Sequence, residues 1–134
     1  MQVALERLVR ERAGEVCEYC RLQQKSSELL FVIDHIIARQ HGGKTEEDNL
    51  AVCCEFCNRH KGPNVAGVDP DSGVIVPLFN PRRDQWIDHF RWEKAIAVGL
   101  TPSARATIRT LAMNHPVQLL RRAAILDEGG QPNA

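Results

Sequence analysis

The sequence predicts an α+β fold. Short helix-like and strand-like segments alternate along 134 residues, and two Cys-x-x-Cys pairs, Cys17-Glu18-Tyr19-Cys20 and Cys54-Glu55-Phe56-Cys57, bracket much of the first half. The third observation is polar: Asp34-His35 lies between the pairs, and Asn58-Arg59-His60-Lys61 follows the second directly. Such a length suits one compact domain, or a small domain with an added arm, and a hydrophobic fraction of 43% is ordinary for a modest core.

The elements follow in chain order. Val3, Leu5, Leu8 and Val9 stand among charges, which predicts a short helix over residues 3–13 ended by Gly14. Cys17 to Cys20 reads as a tight knuckle. The apolar, partly β-branched run Leu29 to Ile33 predicts a buried strand leading into Asp34-His35. His41-Gly42-Gly43-Lys44 is a turn or loop, and Leu50 to Cys53 resumes the apolar pattern. Asn58 is a favoured N-cap for a helix of about one turn, cut short by Gly62-Pro63. Val65–Val68 and Val74–Leu78 flank Asp69-Pro70-Asp71-Ser72-Gly73, a hairpin signal. His89 to Trp92 and Ala95 to Val98 form a second strand pair about Glu93-Lys94. Thr101-Pro102 opens one helix and Pro116 a last one, before the Gly-Gly-Gln-Pro tail frays.

Five cysteines with paired spacing lean towards a metal rather than disulfides, because cysteines two residues apart rarely close a stable bridge outside redox folds. Four thiolates, Cys17, Cys20, Cys54 and Cys57, suit Zn²⁺ in a closed structural site. The bland alternative, four buried free cysteines, is weakened by the duplicated spacing. Cys53 breaks that spacing and reads as a small apolar residue. Seventeen basic and 17 acidic residues leave no net charge, so affinity for nucleic acid has to come from a local patch. Arg59, His60, Lys61, Arg82, Arg83, Arg105, Arg109, Arg121 and Arg122 are the candidates for it. No apolar run approaches the roughly 18 residues of a membrane span, and no signal-peptide core precedes the first helix. A soluble, cytoplasmic protein is the expectation.

Taken singly, Asp34, His35, Asn49 and Asn58 have bland readings: a turn acid, a core histidine, a loop amide and a helix cap. Their order within the cysteine frame argues for a joint one. The run Cys17-x-x-Cys20, Asp34-His35-Ile36, Gly42-Gly43, Asn49-Leu50, Cys54-x-x-Cys57-Asn58-x-x-Lys61 resembles the short, zinc-stabilised bacterial HNH endonucleases. That resemblance covers about residues 17–62 and implies a ββα-metal (HNH, His-Me finger) core pinned by the four-cysteine zinc site. A C-terminal β-hairpin and two helices would pack on it. Residues 1–62 are then the nuclease core with its leading helix, and 63–134 the extension.

The resemblance further implies that His35 is the general base, Asp34 and Asn58 bind a catalytic Mg²⁺ or Mn²⁺, and Asn49 braces the loop that orients His35. The implied reaction is hydrolysis of DNA phosphodiesters to 5′-phosphate and 3′-hydroxyl ends, by nicking or double-strand cutting. The chemistry is coherent. An imidazole, with an ordinary pKa near 6.5, can take a proton from water at neutral pH. A hard cation neutralises a phosphate oxygen. Asn58 stands where many members have histidine, and an amide oxygen suits Mg²⁺ or Mn²⁺ better than zinc. His60 is the rival ligand, but positions 58 and 60 lie about 200° apart on a helix, so only one can face the ion. Asn58 is preferred because Lys61, at i+3, then shares its face and contacts phosphate, with Arg59 and His60 as further backbone contacts. Trp86 and Trp92 read as core before base-stacking platforms. The rival functions are a non-catalytic zinc module that binds nucleic acid or protein, and an RNA-directed nuclease on the same core. One tension is geometric: adjacent strand residues point to opposite faces, so Asp34 and His35 can flank one phosphate only if the strand ends or twists there.

Overall fold

A computed structural model describes residues 1–130, so part of the expected tail fraying, at Gln131-Pro132, lies outside the described residues. Among the described residues the architecture is α+β, with three separate two-stranded antiparallel hairpins and five helices. Helix α1 (Val3–Ala13) ends as predicted at Gly14, whose φ of 64° is the left-handed conformation glycine adopts without cost. Its apolar side faces inward through Leu5 and the fully buried Val9. Arg10 donates to the Phe31 carbonyl at 2.8 Å and Arg12 to the Leu50 carbonyl at 2.8 Å, so the helix is tied to both chains of the first hairpin region.

That hairpin pairs β1 (Val32–His35) with β2 (Leu50–Cys53) in the register Val32–Cys53, Ile33–Val52, Asp34–Ala51, His35–Leu50. The expected strand is displaced. Leu29 and Leu30 are 58% and 68% exposed rather than buried. The Gln24 amide explains why: it donates to Leu29 O at 2.9 Å and accepts from Phe31 N at 2.8 Å, so this backbone is satisfied by a side chain and needs no strand partner. Strand β2 is buried throughout, since the first cysteine knuckle covers it. There Glu18 N donates to Val52 O at 2.9 Å, and Val52 N returns a bond to Glu18 Oε2 at 2.8 Å.

Helix α2 (Glu55–Lys61) follows β2 at once and completes a ββα unit. Asn58 is not its N-cap. Cys54 occupies that place, its sulfur accepting from Cys57 N at 3.4 Å, and Asn58 lies one turn in. A zinc-type knuckle and a helix cap are therefore the same turn, which the preference for Asn at N-caps could not reveal.

The extension holds more than one hairpin and two helices. Strands β3 (Ala66–Val68) and β4 (Ile75–Pro77) form the predicted hairpin. A one-turn helix α3 (Trp86–His89) precedes a second hairpin, β5 (Phe90–Glu93) with β6 (Ile96–Gly99), in which Lys94 takes a positive φ at the turn. Thr101 caps α4 (Pro102–Thr110), and His115 caps α5 (Pro116–Asp127) through its Nδ1. Trp86, buried, stacks on Phe90 at 4.9 Å and donates to Tyr19 O at 2.9 Å, which fastens the extension onto the first knuckle. The core reading for Trp86 therefore stands, and Trp92 lies against Trp86 at 5.3 Å. His89, expected in a strand, closes α3 instead, with Nδ1 2.7 Å from Thr101 Oγ1.

The β3–β4 hairpin is locked to α4 by charge. Arg105 donates to both oxygens of the buried Asp69, at 2.9 and 3.0 Å, and Ser72 donates to Asp69 Oδ2 at 2.8 Å. The Arg105 guanidinium holds the Asp69 carboxyl well below the usual carboxylate range. A depressed folded pKa stabilises above the unfolded value and is lost as pH falls. Asp69→Asn should therefore lower the thermal midpoint by several degrees at neutral pH. The gap to wild type should close as pH falls past the unfolded carboxyl's value of about 3.9. The comparison runs only over the pH range in which both proteins keep their metal, and the gap should already be narrowing there as pH approaches that value. Midpoints that stay equally far apart at every pH would show that Asp69 carries no such linkage.

Candidate active site and metal centre

The metal centre is the best-defined constellation. Cys17, Cys20, Cys54 and Cys57 are buried, form no disulfide, and their sulfurs all lie within 4.8 Å of one another. Zinc with sulfur ligands at about 2.3 Å needs tetrahedral edges of about 3.8 Å, and the Cys20 and Cys54 sulfurs are 3.8 Å apart. The donor set fits Zn²⁺. Two backbone amides, of Cys20 and Cys57, point at the Cys17 and Cys54 sulfurs at 3.5 and 3.4 Å, the usual way a knuckle stabilises thiolate charge. Cys53 is buried outside the cluster, its thiol donating to Cys54 O at 3.3 Å, as its small-apolar reading required.

The hairpin places Asp34 and His35 on opposite faces, because pairing stays regular through His35. Asp34 points inward. Tyr19 donates to its Oδ2 at 2.8 Å, and the Lys61 ammonium lies 3.1 Å from the same oxygen and 3.4 Å from Oδ1. Burial pushes the Asp34 carboxyl up, against the opposing pull of Lys61 and Tyr19. Burial and the Asp34 charge push the Tyr19 hydroxyl up as well, so it stays a donor. Lys61 also donates to the carbonyls of His35 and Ile36, at 3.3 and 3.1 Å.

Two expectations need correction here. Lys61 is 1% exposed and fully engaged, so it is no phosphate contact on a shared outer face with Asn58. Asp34 holds a lysine where a hard ion was expected, and the two expected ligands do not form an open pair. Asn58 itself is exposed on α2, and its side-chain amide has no hydrogen-bond partner among the described residues. The residues present thus do not fit a divalent ion at an Asp34–Asn58 pair, and of the two expected ligands only Asn58 is open to one.

His35 looks outward, half-buried. Its Nε2 lies 2.9 Å from Thr45 Oγ1, and Nδ1 has no partner among the described residues. A hydroxyl that accepts from Nε2–H leaves the Nδ1 lone pair free to accept a proton. Asn49 lies across the intervening loop. Its Oδ1 accepts from Ile37 N at 2.8 Å, and its Nδ2 donates to Ile37 O and Lys44 O, each at 2.9 Å. Gly43 is forced by this closure, since a Cβ there would lie 1.7 Å from Ile37 O.

His60 stacks on Phe56 at 4.1 Å between ring centres and has its Nδ1 2.8 Å from Phe56 O, so it is held on α2 and not aimed at an ion. Arg59 is exposed and lies 5.6 Å over the Phe56 ring. Much of the expected basic patch is consumed internally. Arg82 pairs with Glu18, Arg105 with Asp69 and Arg121 with Glu55, and Arg122 is buried. Arg59, Arg83 and Arg109 remain exposed. Arg83 borders a groove of about 290 Å³ that also touches Ile36, Ile37 and Lys61, beside the His35 turn. Sequence reasoning missed Tyr19, Thr45 and Gln118, and it placed Arg122 on the surface. Tyr19, caught between two cysteines, was the one with a visible signal.

Residues 17–64 match the family model described as HNH endonuclease. The matched segment contains both cysteine pairs, the β1–β2 hairpin and all of α2, which gives it the ββα-metal form. No curated protein and no solved structure matches the chain. Among the described residues, no helix is long and apolar enough to cross a membrane.

Proposed function

We propose that the protein is an endonuclease that hydrolyses DNA phosphodiester bonds in a metal-dependent manner. The observation that carries this reading is His35: it closes β1 inside the HNH segment, faces outward, and has a free Nδ1 and an Nε2 tied to Thr45. That is how a general base has to be held, fixed in orientation, and with Nε2–H donating to Thr45 the Nδ1 lone pair is the one turned towards solvent. Water entering beside Nδ1 loses a proton to the ring as its oxygen bonds to the phosphorus, the P–O3′ bond breaks, and the departing 3′-oxygen takes a proton from solvent, leaving a 5′-phosphate and a 3′-hydroxyl. Asn49, by closing the 37–44 loop, keeps Thr45 beside the imidazole. Bound at Asn58, Mg²⁺ or Mn²⁺ would supply positive charge against the phosphate. Arg59 and Arg83 are the accessible cations for backbone contact, and such contacts position a duplex without reading its sequence. The four-cysteine site is read as structural zinc. The cytoplasm, where thiolates stay reduced, is the compartment we assign. Residues 1–62 form the working core and 63–130 an extension packed on it.

The pairing of Lys61 with Asp34 favours a second reading, a zinc module that binds nucleic acid without cutting it. Plasmid relaxation measured with Mg²⁺, Mn²⁺ and no added ion separates the two, and structured RNA in parallel tests the substrate. Ion-dependent nicking supports the nuclease. Binding with no cleavage under any ion supports the module. Thr45→Val should lower the cleavage rate about 10-fold or more, within the range that general-base assistance contributes. Because Thr45 is exposed, its loss should leave the thermal midpoint nearly unchanged. Unaltered cleavage by Thr45→Val would remove it from the mechanism.

A further inference from the structure

We propose that helix α5 is built as the outer sphere of the four-cysteine centre, with Gln118 donating to its sulfurs and Arg122 countering its charge. This rests on the zinc reading and concerns residues outside the HNH-matching segment. Gln118 is 2% exposed, and its Nε2 lies 3.7 Å from the Cys20 sulfur and 3.9 Å from the Cys54 sulfur. One primary amide has two N–H donors, so it can serve one sulfur from each Cys-x-x-Cys pair. Its oxygen is occupied by Arg121 at 3.3 Å, which turns the nitrogen towards the cluster. A buried amide is costly without partners, and here the sulfurs are the partners.

Arg122, one turn further along, is 3% exposed and lies in the field of Cys20, Cys57 and Cys54. Two of its nitrogens donate to the carbonyls of Gln118 and Met113, which fixes the guanidinium, and Nη1 has no acceptor. Arg122 forms no ion pair among the described residues. Burying this cation beside four neutral thiols would be unfavourable. Four thiolates around one Zn²⁺ carry a net charge of −2, which the Arg122 guanidinium reduces. The outer sphere of a metal site orients its ligands, and losing a member typically costs about 10–100-fold in affinity.

The test is zinc affinity by competition with a chromophoric chelator, on variants shown by circular dichroism to be folded. Gln118→Met and Arg122→Met should each weaken zinc binding about 10–100-fold. Arg122→Lys, which keeps the charge, should recover most of the affinity. In Co²⁺-loaded protein, Gln118→Met should shift the sulfur-to-cobalt charge-transfer band, which a purely packing role would leave in place. Gln118→Asn is the gentler substitution if Met prevents folding. Folded variants with wild-type affinity and an unmoved band would overturn the outer-sphere assignment alone. A wild-type protein that neither contains nor takes up one equivalent of zinc would overturn the zinc reading together with it.

Discussion

His35→Ala should lower plasmid nicking by about 10²–10⁴-fold, the range a positioned general base contributes. The fold should survive the change. The imidazole is half-buried, its one side-chain bond among the described residues is to an exposed threonine, and its removal strands no buried polar group there. A stability change within about 1 kcal/mol is therefore expected. The loss should fall on kcat, because the base acts on water and not on substrate binding. Cleavage by His35→Ala at the wild-type rate would remove the imidazole from the chemistry and leave the binding module as the better account.

The second large effect concerns the cysteines. Stripping zinc should unfold the protein, because structural zinc contributes about 10–16 kcal/mol of apparent free energy, as much as the whole stability of a typical domain, about 5–15 kcal/mol. The sulfurs join the first knuckle to the start of α2, and through them the base of the β1–β2 hairpin and the buried face of α5. Cys54→Ser isolates the metal contribution, since serine is itself a good N-cap and preserves the start of α2. Its far-ultraviolet dichroism should resemble that of the chelated wild type. A chelator too weak to extract zinc, but able to remove Mg²⁺ or Mn²⁺, should stop cleavage and leave the dichroism intact. Wild-type protein that keeps its thermal midpoint after complete zinc removal would refute the structural role.

Much of the site was legible before any coordinates. The duplicated Cys-x-x-Cys spacing marks ligands because geometry demands it: two residues between cysteines let a tight turn offer both sulfurs to one ion. Gly14, Thr101-Pro102 and Pro116 marked helix boundaries through their backbone preferences, and the brace role of Asn49 came with the likeness to HNH endonucleases. What failed was local preference competing with tertiary partners. Asn58 has the chemistry of a cap, but the Cys54 sulfur already held that place. Leu29 and Leu30 have the composition of a strand, yet Gln24 satisfied their backbone first.

By itself the sequence determined the four-cysteine set, because spacing and residue chemistry act over a few positions, and its likeness to HNH endonucleases supplied the ββα order of the core and pointed to His35. Only tertiary packing decided the fate of the charges. Lys61 turned inward to Asp34, three of the expected surface arginines paired with Glu18, Asp69 and Glu55, and α5 brought Gln118 and Arg122 to the sulfurs. A long cationic side chain can lie in solvent or fold onto a buried anion, and the choice depends on what distant segments place within a few ångströms of its tip.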